Sequence, residues 1–245
     1  MVSDYPLHPD TLLSVDWDFF SGSAELVFDS PFWGTRDTDF DRHDAWKARA
    51  LKRGGKSFEV LKTDFPLFGQ PLELLKFAGL PCYASVSHSE AYELIERLRI
   101  SSVVNLDSHH DLFSSSGDPQ RIRPGNWAGL ALEHGLISSY TCIYPDWHEH
   151  VRVTEGFDLS RTKLELPARF RGEWSESIPY TKPILQRGMP NLEPADVSAV
   201  LLVQSPAWSN PLYDSVFFEL CQGLKTEIIS PILERGFTDI SKTPM

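Results

Sequence analysis

The stretch Val103-Val104-Asn105-Leu106-Asp107-Ser108-His109-His110-Asp111-Leu112 decides the fold of this chain. It is a short apolar run that changes abruptly to polar side chains, a pattern typical of a buried parallel strand that ends in a loop. In open α/β sheets, ligands bind at that end of the strands. Asp107, His109 and Asp111 offer carboxylate and imidazole donors, which suit Mn, Fe or Zn. The stretch predicts either a metal site or a hydrated polar turn.

Two further strand ends carry the same kinds of side chain. Residues 11–20 are an apolar run that reaches Asp16 and Asp18, which lie on one face of a strand because they are two residues apart. His88 follows the strand-like run 82–87, at a strand-to-helix junction. The candidate metal ligands are therefore Asp16, Asp18, His88, Asp107, His109 and Asp111. Four carboxylates and two imidazoles are enough for two divalent ions, and without a cation the carboxylates would repel one another.

Helical patterns separate the strand patterns along the chain. Helices are predicted at 91–98, 128–134 and 212–224, and further strands at 140–144 and 197–203. This alternation predicts an α/β fold, a three-layer α/β/α arrangement around a mainly parallel sheet. At 245 residues the chain is predicted to form a single domain, 1–245. Residues 151–195 are predicted to be an irregular insertion or lid, with strand-like pieces around 164–166.

Charge and composition limit the partners of the protein. The net charge of −11 argues against nucleic acid, because phosphate binding needs a basic surface. No apolar run approaches ~18 residues and the N-terminus lacks a signal-peptide pattern, so we expect no membrane contact and a cytoplasmic location. Cys82, Cys142 and Cys221 are widely spaced in apolar surroundings, which favours reduced thiols over disulfides. The sequence is compatible with a homo-oligomer.

The order of these ligands resembles a known metal site. A histidine after a strand, an Asp-x-His-x-Asp motif and a separate Asp-x-Asp are similar to the dimanganese site of the arginase and ureohydrolase superfamily, which shares its fold with histone deacetylases. The resemblance implies that His88 and Asp111 bind the first metal, His109 and Asp18 bind the second, and Asp107 and Asp16 bridge them. It also implies that Asp111 is catalytic, by hydrogen-bonding the attacking hydroxide. Gly125-Asn126 resembles the glycine-asparagine that holds the substrate in that superfamily.

Three departures separate this chain from arginases. The Asp-x-Asp motif lies near the N-terminus instead of after the Asp-x-His-x-Asp motif, as if the strand order of an arginase-like sheet were permuted. Ala128 stands where arginases carry a histidine that shuttles protons. In arginases a glutamate at a later strand end binds the guanidinium. This chain has no match for it, since Gln204-Ser205-Pro206 follows Val203.

A less-studied arginase-like family resembles the chain more closely. Its features are Asp-x-Asp-Phe-Phe, Asp-Ser-His-x-Asp-Leu and a late Ser-Pro, and its members include peptide arginases, which convert arginine residues of a precursor peptide to ornithine and urea. This resemblance implies an arginine-containing peptide as substrate and two Mn²⁺ as cofactors. Two alternatives stay open: a deacetylase-like amidohydrolase with one Zn²⁺, and a non-catalytic metal-binding scaffold.

The two missing arginase residues need replacements. Candidate proton carriers are His110, His134, His148 and His150. We select His148 because it follows a strand and should lie at the same edge of the sheet as the metal ligands. Candidates to bind the guanidinium are Glu90, Asp146 and Glu149, because carboxylates make paired charge-assisted contacts with it. The tryptophans that can stack on a substrate are Trp17, Trp33, Trp127, Trp147 and Trp208.

Overall fold

A seven-stranded sheet in which every strand pairing is parallel forms the centre of the molecule. The computed structural model describes residues 10–23, 41–114, 118–173, 180–189 and 191–236, without the side chains of 41–43. The strands are β1 (Thr11–Asp16), β2 (Cys82–Ser85), β3 (Ser102–Leu106), β4 (Ser139–Tyr144), β5 (Ile184–Arg187), β6 (Ala199–Val203) and β7 (Glu227–Ile228). Their order across the sheet is β5-β4-β3-β1-β6-β2-β7.

Helices cover the sheet on both sides. They are α1 (Asp41–Lys52), α2 (Ala91–Leu98), α3 (Trp127–Glu133), α4 (Leu159–Glu165), α5 (Ala168–Arg171) and α6 (Asp214–Leu224). Buried residues of α2, α3 and α5 form one apolar core with one face of the sheet. Residues of α6 and of the short 3₁₀ helix Pro71–Phe77 form a second core with the other face. The predicted three-layer α/β/α fold is confirmed.

The strands are apolar on both faces because both faces are covered. In β6, all of Ala199–Val203 is buried, as are the five residues of β3. Such continuous apolar runs are expected for parallel strands between two layers of helices. Of the helices in the described residues, none is long and apolar enough to cross a membrane.

Residues 151–195 contain more regular structure than their sequence indicates. The strand-like interpretation of 164–166 is wrong, because Leu159–Glu165 is helix α4 and the side chain of Asp158 accepts hydrogen bonds from the N–H groups of Ser160 and Arg161 at its start. The alternation of Leu164, Glu165 and Leu166 is typical of a strand, whereas the N-terminal cap and the Arg161–Glu165 pair support a helix. Strand β5 also lies in this region and extends the sheet beside β4.

Candidate metal centre

The candidate metal ligands lie at the ends of β1, β2 and β3. With β6, these strands form four neighbours in the sheet, in the order β3-β1-β6-β2. Asp16 ends β1, Asp107 follows β3, and His88 lies in the turn after β2. β6 separates β1 from β2, and its register pairs Val203 with both Asp16 and Ser85. Parallel strands all end at the same edge, so residues distant in sequence meet there. The site therefore lies at the carboxyl edge, near the middle of the sheet.

The Asp-x-Asp and Asp-x-His motifs fold in the same way. Asp16 Oδ1 accepts the N–H of Asp18 at 3.1 Å, and Asp107 Oδ1 accepts the N–H of His109 at 2.8 Å. Each aspartate thus uses one oxygen to turn the chain two residues ahead, which is common Asp behaviour in turns. Its other oxygen remains directed toward His88, at 3.1 Å from Nδ1 in both cases.

His88 is the centre of the first group of ligands. Its Nδ1 lies 3.1 Å from Asp16 Oδ2, 3.1 Å from Asp107 Oδ2 and 3.0 Å from Asp111 Oδ2. The side chain is buried, and this nitrogen has no properly oriented hydrogen-bond partner among the described residues. Donors about 3.0 Å apart match neighbouring corners of an octahedral ion with ligand distances of about 2.1 Å. The arrangement fits a divalent cation.

A second group of ligands shares Asp107 with the first. Donor atoms of Asp18, Asp107 and His109 all lie within 4.8 Å of one another, as do those of Asp16, His88 and Asp107. His109 Nδ1 is 3.2 Å from Asp18 Oδ2 and 3.6 Å from Asp107 Oδ1. Asp18 Oδ2 is another buried atom without a hydrogen-bond partner in the described residues. We call the two groups together with Asp111 the Asp/His cluster.

A second layer of polar groups orients these ligands. The side chains of five of the six candidate ligands have a short contact with a buried neighbour. These contacts are Ser14 Oγ to His88 Nε2 (2.8 Å), Ser205 Oγ to Asp16 Oδ2 (2.6 Å), Asn105 Nδ2 to Asp107 Oδ2 (2.9 Å), Trp127 Nε1 to Asp111 Oδ2 (2.7 Å) and Ser108 N to Asp18 Oδ1 (3.2 Å). Ligands held by such outer contacts are typical of metal sites in proteins.

Replacement of Ser14 by alanine should weaken metal binding without unfolding the protein. Ser14 Oγ lies 2.8 Å from His88 Nε2 and so can fix the tautomer that leaves Nδ1 free for a metal. We expect Ser14→Ala to lower metal affinity about 10- to 100-fold, measured by competition with a coloured chelator. Ser139→Ala is the matched control, because Ser139 is the first residue of β4 and so lies at the opposite edge of the sheet from the cluster. Equal affinities in wild type and Ser14→Ala would contradict this role.

Burial and mutual repulsion perturb the ionisation of the cluster. Burial raises the pKa of Asp16 to about 7, and the charges of Asp18 and Asp107 add to the effect. Burial by itself lowers the pKa of His88, but the carboxylates around it raise that pKa well above its ordinary value. His109 behaves in the same way. Protonated imidazoles thus balance the carboxylates, and a dication can replace those protons.

The backbone is strained at two residues of this site. Four non-glycine residues of the described chain have positive φ, and two of them, Arg99 and Lys225, are ordinary C-terminal caps of α2 and α6. The other two are Asp111 (φ 51°) and Ser205 (φ 44°). Left-handed backbone costs a non-glycine residue about 1–2 kcal/mol. Both strained residues contact cluster side chains, and such strain concentrates at functional sites.

The turn Gln204–Ser209 after β6 is tied to the C-terminal segment. The side-chain amide of Gln204 pairs with the backbone of Leu233 in both directions. Arg235 forms a buried two-point ion pair with Asp214 and donates to Pro206 O at 2.6 Å. This turn carries Ser205, which holds Asp16. It also carries Trp208, whose ring packs on His109 at 4.8 Å between ring centres.

His148 follows β4 and so lies at the same edge of the sheet as the Asp/His cluster. Its side chain is 1% exposed, and neither ring nitrogen has a hydrogen-bond partner among the described residues. Burial lowers its pKa to about 3, with smaller contributions from the positive charges of His109 and Arg187. The ring is therefore neutral at physiological pH. A buried imidazole with two unpaired nitrogens is unusual in proteins and is a candidate functional group.

The neutral state of His148 makes the protein sensitive to acid. Its pKa in the folded protein is below its ordinary value of 6.5, so the unfolded chain binds the extra proton first. Its contribution to stability is full above pH 6.5 and is lost as the pH falls toward 3. Between pH 6.5 and 5 the metal-free wild type should lose about 2 kcal/mol more than His148→Phe, measured by urea unfolding in EDTA. Parallel pH profiles for the two proteins would contradict this prediction.

The four predicted substrate-binding residues have other partners or lie apart from the cluster. The amide of Asn126 is occupied by backbone groups of its own loop, at Arg123, Arg121 and Pro119. Glu90 accepts from Ser230, and Glu149 is paired with Arg187 at 2.9 Å. Asp146 is exposed, and its carboxylate lies close to Gly188 at the end of β5. None of the four contacts the Asp/His cluster in the described structure.

The remaining histidine candidates are placed less favourably than His148. His110 Nδ1 accepts the N–H of Leu112, and its ring stacks on Phe113. His134 is exposed at the end of α3 and bonds to Tyr92, and His150 is exposed.

Among the tryptophans, Trp127 and Trp208 pack on cluster residues, whereas Trp17 and Trp147 pack on phenylalanines. Trp33 lies outside the described residues.

Sequence reasoning missed several residues that support the site. Ser14 and Asn105 each precede a ligand by two residues on the same strand, so alternation alone places them on the ligand's side. A polar residue two positions before a strand-ending aspartate was thus an available signal. Glu155 was also missed, because it lies in an irregular stretch without any motif. Its carboxylate accepts the N–H of His110 at 2.9 Å.

Comparisons with known proteins supply no family for this chain. The chain matches no family model, no curated protein and no solved structure. What the structure shows is a buried Asp/His cluster able to hold metal, on a parallel α/β fold.

Proposed function

We propose that this protein is a dinuclear metal hydrolase that converts arginine residues of a peptide to ornithine and urea. The observation that carries the proposal is that Asp107 belongs to both ligand groups. A carboxylate with one oxygen near His88 and the other near His109 is suited to bridge two ions. The motif resemblance supplies the expectation of Mn²⁺ and of the arginine substrate.

The proposed reaction consumes one water. The water oxygen bonds to the guanidinium carbon, the bond from that carbon to Nε breaks, and the protons leave one ammonium on ornithine beside neutral urea. Two dications, when bound, lower the pKa of water and polarise the carbon under attack. The carboxylate of Asp111, which accepts the Nε1–H of Trp127, would accept a hydrogen bond from that water.

A proton must also reach the leaving nitrogen. We assign this step to His148, because it follows β4 at the edge of the sheet that carries the cluster and both of its ring nitrogens are buried without hydrogen-bond partners in the described structure. Its unpaired ring nitrogens can accept a proton from one group and donate it to another. The buried setting also keeps bulk water from competing for the proton. In this proposal, His148 performs the proton transfer that arginases assign to a histidine at the position of Ala128.

Mass spectrometry of peptides tests the proposal directly. The purified protein is loaded with Mn²⁺ and incubated with arginine-containing peptides and with the same peptides carrying lysine. We expect a mass loss of one carbodiimide unit from the arginine peptides alone, together with free urea. Metal analysis should show about two ions per chain. One Zn²⁺ per chain with loss of acetyl from acetyl-lysine peptides would favour a deacetylase. Bound metal with no reaction on any peptide would favour a non-catalytic scaffold.

A further inference from the structure

The loop Val151–Asp158, between β4 and α4, brings a carboxylate to the Asp/His cluster. Glu155 Oε2 accepts the N–H of His110 at 2.9 Å and lies 3.4 Å from the hydroxyl of Tyr144. The negative charge of Glu155 contributes to the raised pKa of His109 after the nearer carboxylates. Its other oxygen, Oε1, has no partner in the described structure. The carboxylate of Glu155 therefore lies next to a candidate metal ligand, with one oxygen engaged and the other without a partner in the described structure.

The position of Glu155 is fixed by its neighbours in the loop. Gly156 lies so close to His148 and to the ring of Tyr144 that a Cβ there would overlap both. Arg187 donates from Nε to Gly156 O at 3.0 Å and from a terminal nitrogen to Phe157 O at 2.8 Å. Thr162 Oγ1 contacts the carbonyl oxygen of Glu155. A loop anchored in this way holds its carboxylate ready for a ligand, which is how binding sites limit the entropy cost of association.

His109 is the most exposed member of the Asp/His cluster. The side chain of His109 is 19% exposed, whereas those of the other five cluster residues are at most 5% exposed. The side chain of Glu155 is 32% exposed. A substrate that reaches the second ligand group meets His109 first, and Glu155 lies beside the next residue, with Oε2 2.9 Å from His110 N and 3.9 Å from His110 Nε2. Glu149 and Glu90 are already engaged by Arg187 and Ser230.

We infer that Glu155 receives the cationic group of the substrate and selects for positively charged side chains. This inference rests on the proposed function and deepens it, since a guanidinium beside the metals needs a carboxylate that the metals do not use. A partly buried carboxylate with a free oxygen gives a charge-assisted hydrogen bond, which is stronger than a neutral one. A neutral substrate such as an acetylated lysine gains nothing from this contact.

The alternative role for Glu155 is purely positional, as an acceptor that holds the backbone of His110. Glu155→Gln separates the two roles, because the glutamine carbonyl can still accept from His110 N–H and Tyr144 OH while the charge is removed. Glu96→Gln, on the exposed side of α2, removes the same charge elsewhere and is the matched control. Metal content measured on all three proteins verifies that the cluster is intact.

Calorimetry on the Mn-loaded proteins gives the readout. The probes are the methylamide of Nα-acetyl-lysine, whose ammonium cannot be consumed by guanidino hydrolysis, and the methylamide of Nα-acetyl-2-aminoheptanoate, its neutral counterpart of equal length. Wild type and Glu96→Gln should bind the lysine probe about 10- to 100-fold tighter than the neutral probe, the range expected for one charged hydrogen bond. Glu155→Gln should lose this preference and keep its affinity for the neutral probe.

The outcomes separate this inference from the proposed function. If Glu155→Gln keeps the preference for the lysine probe, or if wild type shows none, Glu155 does not select for charge, even if wild type releases urea from arginine peptides. If wild type and Glu96→Gln prefer the lysine probe and Glu155→Gln does not, the inference stands, even if no peptide yields urea and the proposed reaction is wrong.

Discussion

Asp107→Asn should abolish activity and remove most of the stabilisation that metal gives the wild type. Asp107 is the one residue shared by both ligand groups, so its loss impairs the two groups at once. The asparagine keeps an oxygen that can accept the N–H of His109 but lacks the charge that a dication requires. At a metal concentration of about 1,000 times Kd, the wild type should gain about 4 kcal/mol of unfolding free energy. The variant should gain little of it.

The measurement pairs thermal unfolding, with and without Mn²⁺, with metal content after dialysis and urea release. Activity should fall about a thousandfold or more, because polarisation of the guanidinium carbon and activation of water are lost together. Asp44→Asn is the control, since Asp44 is exposed and its ion pair in the described part of the chain is with Lys47, three residues ahead. An Asp107→Asn protein that retains two ions per chain and full stabilisation would show that the cluster is not the metal site.

Arg235→Met should be the most destabilising single change outside the cluster. Arg235 and Asp214 are 3% and 0% exposed, and the substitution leaves the carboxylate of Asp214 buried without its cation. Breaking a buried ion pair from one side typically costs about 3–5 kcal/mol. The substitution also removes the hydrogen bond to Pro206 O. Urea unfolding of the metal-free protein gives the loss directly.

A double variant separates the charge effect from lost packing. In Arg235→Met with Asp214→Leu, no unpaired charge is buried, so much of the stability should return. Metal affinity should not return with it, because the Gln204–Ser209 turn that carries Ser205 and Trp208 still lacks its anchor. A double variant as unstable as Arg235→Met would show that lost packing, and not the buried charge of Asp214, causes the loss of stability. Wild-type metal affinity in either variant would show that the turn does not depend on Arg235.

Much of the layout could be predicted from the sequence because it depends on local patterns. Apolar runs that end in Asp or His identify strand ends, and parallel strands place all such ends at one edge of the sheet. The convergence of Asp16, His88 and Asp107 follows from these two facts, although the residues are up to 91 positions apart. Helix α2, at Ala91–Leu98, matches the predicted bounds because its apolar stripe is regular.

The features that could not be predicted depend on long-range packing. Nothing local shows that Arg235 meets Asp214, or that Glu155 reaches the backbone of His110, since helices and strands separate the partners of each contact along the chain. Glu149 is a candidate to bind the guanidinium because it is a carboxylate, but the neighbouring strand β5 supplies Arg187 to pair with it. Strand order within the sheet decides such pairings, and hydrophobic periodicity does not encode strand order.

The three buried cysteines provide the protein with internal reporters of local opening. Burial raises the pKa of Cys82 to about 11 and that of Cys221 to about 12, so neither thiol reacts until the surrounding core opens. Cys142 is also buried, and its Sγ donates to the carbonyl oxygen of His109 at 3.3 Å. Thiol labelling of Cys142 thus reports motion at the second ligand group, while Cys82 and Cys221 report the opposite core. Bound metal should slow labelling of Cys142 more than that of the other two.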